Sequence, residues 1–360
     1  MAIGPCVARL YIVGWVNEIK DLHFVFCTDG NILMNGFLMR SLGAVIIWLL
    51  PSASAIAQAK VDAYPMQSVR LILPFGPGSS TDMTARIISE KLQAKWGKSV
   101  FVENRPGGDG LLAINAFLAA ADDHTLLYAS TSSFILHPYT LPSKPPYNVD
   151  TDLLPIVRTS DSALTIAVSV GSGANSLTEW VALARADAGK FNAAGGAGVA
   201  ELALRAFIKE QTLPVAFVPY RDIVQAGGDL AANRLQLLSS SLAVAQPHVD
   251  AGKVRVVATA TSKRSPLAPK IPTAAEQGFP TIGYESTVGL YGPSTMSLAL
   301  RERIAVDVIN ILSDAAVIKR IGDVGQAVFA EGPLKLDAIV KAQKKEMARL
   351  AVLLDMQLKQ

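Results

Sequence analysis

The stretch Val69-Arg70-Leu71-Ile72-Leu73-Pro74-Phe75-Gly76-Pro77-Gly78-Ser79-Ser80-Thr81-Asp82 decides the fold class. Its first five residues are mostly branched and apolar and read as a strand, which the Pro/Gly run ends. Ser79, Ser80 or Thr81 can cap a helix whose apolar side includes Met83, Ile87, Ile88, Leu92 and Trp96 and which stops at Gly97. Working outward, Val100-Phe101-Val102-Glu103 reads as a second strand, followed by the turn 104–110, a helix over 111–120 and a strand over 125–129. Alternation of this kind builds a mainly parallel sheet covered by helices. The Pro-rich stretch 138–155 is a long connection. Beyond it a strand at 164–170, a helix at 176–187, a Gly-rich turn at 195–198, a helix at 199–210 and a strand at 215–218 restart the pattern. That makes a second α/β unit, and the chain closes on a long amphipathic helix with Lys341, Lys344, Lys345 and Arg349 on its polar side.

The 360 residues are 50% hydrophobic and 18% charged, a globular composition of a length that suggests two domains. A net charge of +3 without a dense basic run leaves no electrostatic footprint for nucleic acid. The mean hydropathy of +0.33 is high, and part of the excess sits at the front. Arg40 precedes the apolar run SLGAVIIWLL at 41–50, and a small-x-small site follows at Ala57-Gln58-Ala59. Pro51 cuts the run short of the roughly 20 apolar residues a membrane span needs, so it reads as a secretory signal cleaved near Ala59. Met34 and Met39 stand just ahead of it and are the expected alternatives to Met1 as the true start. Both cysteines, Cys6 and Cys27, lie in this leader segment, so the exported chain has no thiolate for catalysis or metal binding.

In parallel α/β sheets ligands sit beyond the carboxyl ends of strands, where loops enter helices. Two loops fit that description, 76–82 and Gly195-Gly196-Ala197-Gly198. Glycine lets the backbone approach a ligand, and unbonded N–H groups at a helix start favour an anion. Neither is a nucleotide motif: the first has no Walker lysine, and Glu201 takes the last glycine place of G-x-G-x-x-G in the second. Ser239-Ser240-Ser241 lacks the glycines of a nucleophile elbow and reads as a polar strand end near the cleft. His124, His137 and His248 show no metal-ligand spacing, and Asp122-Asp123 are adjacent in a turn and do not face one another. The reading expects no catalytic residue, metal or cofactor.

Taken in order, the segments resemble the extracytoplasmic receptors of tripartite tricarboxylate transporters, the Bug proteins. The resemblance spans about residues 64–345. It is carried by Tyr64-Pro65, Pro74 to Gly78 with Asp82 and Arg86, Val102 to Gly107, Asp122 to Leu127, Val218 to Arg221, Pro247-His248-Val249 with Gly252-Lys253, Arg264-Ser265-Pro266, and Ile271 to Pro280. It implies a type II periplasmic-binding-protein fold, α/β, with lobe 1 over 60–165 and 285–360, lobe 2 over 166–284, and a cleft that closes on a small carboxylate. The ligand contacts it implies are Phe75, Pro77, Gly78, Ser79, Ser80 and Asp82 on the first loop and Gly196, Ala197 and Gly198 on the second. Ser130, Thr131, Tyr220 and Ser241 join them. Implied partners are the large and small membrane subunits of a transporter, with the receptor monomeric in the periplasm.

The chain departs from the family pattern in places. Val199 and Glu201 stand where the family has a hydroxyl residue and a histidine, and Ser79 replaces a glycine. An acid beside a carboxylate site is unfavourable unless it points away. The ligand is therefore left open between a di- or tricarboxylate, an aromatic acid and an acidic amino acid. A secreted α/β hydrolase and a sensor subunit for a membrane partner remain the alternative functions.

Overall fold

The computed structural model describes residues 61–196, 198–220 and 222–358. The leader expected over 1–59 and Ala197 of the expected contacts lie outside them. Strand β1 (Val69–Leu73) pairs in parallel with β2 (Val100–Asn104) on one side and β3 (Thr125–Ser130) on the other. Helix α1 (Ser80–Trp96) connects β1 to β2, and α2 (Leu111–Ala120) connects β2 to β3. Gly97 ends α1 in the left-handed region at φ +63°, its N–H donating to the Gln93 carbonyl at 3.0 Å, a conformation that favours glycine. Ala85, Ile88 and Leu92 of α1 are fully buried against β1. Met83, expected on the same apolar side, is 43% exposed; it sits at the helix margin in a shallow depression with Arg86, Glu90 and Arg320.

The first sheet is mixed, in the order β11-β4-β10-β3-β1-β2, where β4 is Leu154–Ser162, β10 is Ser286–Gly292 and β11 is Gln326–Glu331. β10 runs antiparallel to both β3 and β4, and β11 antiparallel to β4. The chain passes to the second sheet at Ala163 and returns after residue 259. The second sheet holds β5 (Leu164–Ser169), β6 (Asn192–Gly195), β7 (Ala216–Phe217), β8 (Leu237–Ser241) and β9 (Val254–Thr259), in the order β7-β6-β8-β5-β9. β5 runs antiparallel to both β8 and β9, and the other pairings are parallel.

Helices α3 (Leu177–Ala186), α4 (Val199–Glu210), α5 (Ile223–Ala231) and α6 (Leu242–Asp250) cover the second sheet. Helices α7 (Leu298–Leu312), α8 (Ala315–Asp323) and α9 (Pro333–Leu353) complete the first half. Each sheet has its own apolar core. A further cluster is shared: Val199, Ala203 and Ala206 of α4 pack with Met347, Leu350 and Ala351 of α9 and with Ile135 and Leu136. The C-terminal helix thereby ties the start of α4 to the first half through buried apolar surface. Among the described residues no helix is long and apolar enough to cross a membrane.

Candidate functional site

The first loop is organised by Asp82. Its carboxylate accepts from the Gly78 N–H at 2.9 Å, from Asn104 Nδ2 at 2.8 Å and from Arg86 Nε at 3.0 Å, while Ser79 Oγ accepts from the Asp82 N–H at 3.3 Å. Asn104 Nδ2 also donates to the Phe75 carbonyl at 2.9 Å. Burial alone raises the Asp82 pKa, but the donors Arg86, Asn104 and Gly78 outweigh it and hold the group below the ordinary carboxylate range. Gly78 lies at φ +82°, where a side chain is strained. Asp82 and Ser79 are both among the expected ligand contacts; in the structure their side chains hydrogen-bond within the loop and the helix cap. What the loop offers outward is backbone: the first-turn N–H groups of Ser80 and Thr81 have no backbone acceptor among the described residues. Ser80 Oγ accepts from Gln326 Nε2 at 3.1 Å, which also reaches Ser162 Oγ at 3.1 Å. Pro77 is exposed at the loop tip.

The second loop is pinned to its own sheet. Gly196 N–H donates to the Ser239 carbonyl at 2.9 Å, and the Glu201 N–H returns to the Gly196 carbonyl at 3.0 Å. A Cβ on Gly195 would stand 3.0 Å from Glu201 Cα, so the first turn of α4 packs closely on bare backbone there. Glu201, the acid that threatened the site, points down the helix. Its Oε1 is 2.8 Å from Arg205 Nε, and the Arg205 guanidinium lies 4.0 Å over the Phe217 ring. The i, i+4 spacing of Glu201 and Arg205 is visible in the sequence and would have signalled this pairing.

Phe75, Ser132, Ser133, Leu136 and Gly198 line one cavity of about 550 Å³ with the turn 107–110, so the segments after β1 and β3 and the residue ahead of α4 meet there, while none of residues 76–82 lines it. A Cβ on Gly198 would lie 3.5 Å from Leu136 Cδ1. At the end of β3, Ser130 Oγ is 2.9 Å from Ser132 Oγ and 3.1 Å from Ser286 Oγ. The Thr131 and Tyr284 hydroxyls are buried there, and among the described residues neither makes a hydrogen bond of ordinary length. Tyr284 escaped the sequence reading because no local signal marks it; the fold alone carries it to Thr131 and Ser132. Burial raises its phenol, with the neighbouring Ser132 and Thr131 hydroxyls opposing. Ser241 ends β8 opposite Leu164, half-buried, and its hydroxyl makes no cap bond to α6.

Tyr220 does not join the others through its hydroxyl, which donates to Asp229 at 2.8 Å while Asp229 is also held by Arg234. His137 is likewise occupied: Nε2 contacts the Asp109 carbonyl at 3.1 Å and Nδ1 contacts the Tyr147 hydroxyl, and burial lowers its pKa. Among the described residues no group of three His, Cys, Asp or Glu side chains converges as a metal site. Beside the crossing from β4 to β5, Arg158 is buried with Asp161 and with Glu331 at 2.7 Å, its guanidinium 4.0 Å over Phe329. It lines a second cavity of about 430 Å³. This cluster was not read from the sequence.

The model of the tripartite tricarboxylate transporter family receptor matches residues 84–351, most of the chain. The chain belongs to that family. Among relatives, BugT of Bordetella pertussis is 31% identical over 247 residues, covering 67% of this chain and 75% of that one. Among solved structures, one described as a periplasmic transporter is 27% identical with a TM-score of 0.67, covering 82% of this chain and 99% of the other. Rpa4515 of R. palustris with adipate superposes at a TM-score of 0.68 with 23% identity, covering 81% and 99%, and shares the fold. The two mixed sheets of this receptor are thus those of the periplasmic-binding-protein fold. Its glycine loops lie at the carboxyl ends of β1 and β6, one on each sheet.

Proposed function

We propose that this receptor captures a small carboxylate between two lobes, 60–165 with 285–360 and 166–284, and delivers it to the membrane subunits of a tripartite transporter. The observation that carries the reading is the cavity lined by both Phe75 and Gly198, the residues that lead into the first loop and into α4; the first-turn N–H groups of both helices lack a backbone acceptor among the described residues. Such groups, with the positive ends of the helix dipoles, attract an anion without a net positive surface. The adipate in the related fold supports the same ligand chemistry. Closure is a hinge motion about the crossings near Ala163 and after residue 259, driven by a ligand that bridges both loops. Secretion follows cleavage near Ala59, which mass analysis of the exported chain checks.

A thermal-shift screen of mono-, di- and tricarboxylates, aromatic acids and acidic amino acids tests the reading. A binder present at 100 times its Kd stabilises the folded state by about 2.7 kcal/mol. Stabilisation by none of these acids would overturn the carboxylate assignment.

A further inference from the structure

Behind the start of α4 lies a chamber of about 340 Å³ whose apolar walls are Ile135, Val199, Pro280, Tyr284, Met347 and Leu350. It adjoins the polar cavity: Leu136 and Gly198 line that cavity, and their chain neighbours Ile135 and Val199 line the chamber. Val199 therefore has two faces. Its side chain, 3% exposed, belongs to the apolar wall, while its N–H and that of Ala200 have no backbone acceptor among the described residues at the first turn of α4.

Charge decides what enters. The described residues lining the chamber include Glu285 and Glu346 but no lysine or arginine. Glu346 is already held by Arg349 at 2.7 Å, and Glu285 is engaged by the Ser262 hydroxyl and lies 3.9 Å from the Arg158 guanidinium. With both acids already paired and no cation in the lining, a carboxylate in this space finds no counter-charge, so desolvation opposes it. An apolar group meets no such obstacle. A cavity of about 150 Å³ with aliphatic and aromatic walls is enough to hold benzene, so this one takes a ring and a short chain.

We infer that the ligand is a monocarboxylate with an apolar body, a phenyl ring or an alkyl chain, seated in this chamber with its carboxylate toward the first turn of α4. The inference rests on the carboxylate-receptor reading and narrows it: a di- or tricarboxylate would carry a second charge into a lining that offers it no cation.

Titration calorimetry on the full chain tests it with acetate, butyrate, hexanoate, octanoate and 3-phenylpropionate, against malate and citrate. The expected result is an affinity that rises about fourfold per methylene until the chamber is filled. Hexanoate or phenylpropionate then binds at least about tenfold more tightly than malate or citrate. Ala342→Phe and Ala275→Leu, on the exposed rim and clear of both glycine loops, flatten the series while the ligand-free melting temperature stays within about 2 °C. Malate or citrate binding in the presence of a flat alkyl series overturns the chamber assignment and leaves the receptor reading intact. Binding of no acid at all overturns both.

Discussion

Asp82→Ala removes one carboxylate and three hydrogen bonds at once: from Gly78 at 2.9 Å, Asn104 at 2.8 Å and Arg86 at 3.0 Å. A hydrogen bond to a charged group contributes about 1.5–3 kcal/mol net. The three are unequal. Arg86 is half exposed, so its share falls in the surface range of about 0.5 kcal/mol, and the Gly78 N–H at the exposed loop recovers water. The expected loss is about 2–4 kcal/mol, which in a chain of this size lowers the melting temperature by roughly 3–6 °C. Carboxylate affinity falls at least about tenfold, because the first-turn N–H groups are no longer held in register.

The pH dependence has a fixed sign. The folded pKa of Asp82 lies below its unfolded value of about 3.9, so the unfolded chain binds more protons between the two. Its contribution is present above about pH 4 and is lost as pH falls through the folded value, so the gap between parent and variant narrows only under acid conditions. Thermal melts followed by circular dichroism from pH 3 to 7, with calorimetry for binding, read all three effects. A variant that melts within about 1 °C of the parent at pH 7 and binds normally would refute the idea that Asp82 builds the loop.

Three further outcomes follow from the geometry. Glu201→Gln changes ligand affinity by less than about threefold, since the acid is paired with Arg205; a tenfold gain in titration calorimetry would show that it faces the ligand. Tyr220→Phe removes a donor to Asp229 and lowers stability by about 1 kcal/mol in urea unfolding with Kd unchanged, whereas a lost affinity would return the hydroxyl to the site. Arg158→Ala strands Asp161 and Glu331 and destabilises by about 3–5 kcal/mol; an unfolding midpoint like the parent's would mean that the cluster is already hydrated.

The loops were legible because their signals are local. Gly78 and Gly198 occupy positive φ, Ser79 caps α1, and apolar runs bracket both, so a window of a few residues carries the whole message. Strand β4 was hidden for the opposite reason: Arg158, Thr159, Ser160 and Asp161 are polar, and they are buried only because partners from β3, β10 and β11 surround them. The two antiparallel strands β10 and β11 return from far along the chain, and a pairing of that range leaves no periodicity at either end.

By itself the sequence determined a two-unit α/β chain, two anion-favouring helix starts and the family, because each follows from residue order over short spans. Only the tertiary structure decided where the polar side chains beside those helix starts turn. Asp82 and Ser79 turn inward, Glu201 and Tyr220 turn to Arg205 and Asp229, and Tyr284 arrives from the returning crossing. The direction of a polar side chain is set by the partner nearest in space, and for Tyr284 and Arg158 those partners are distant in sequence.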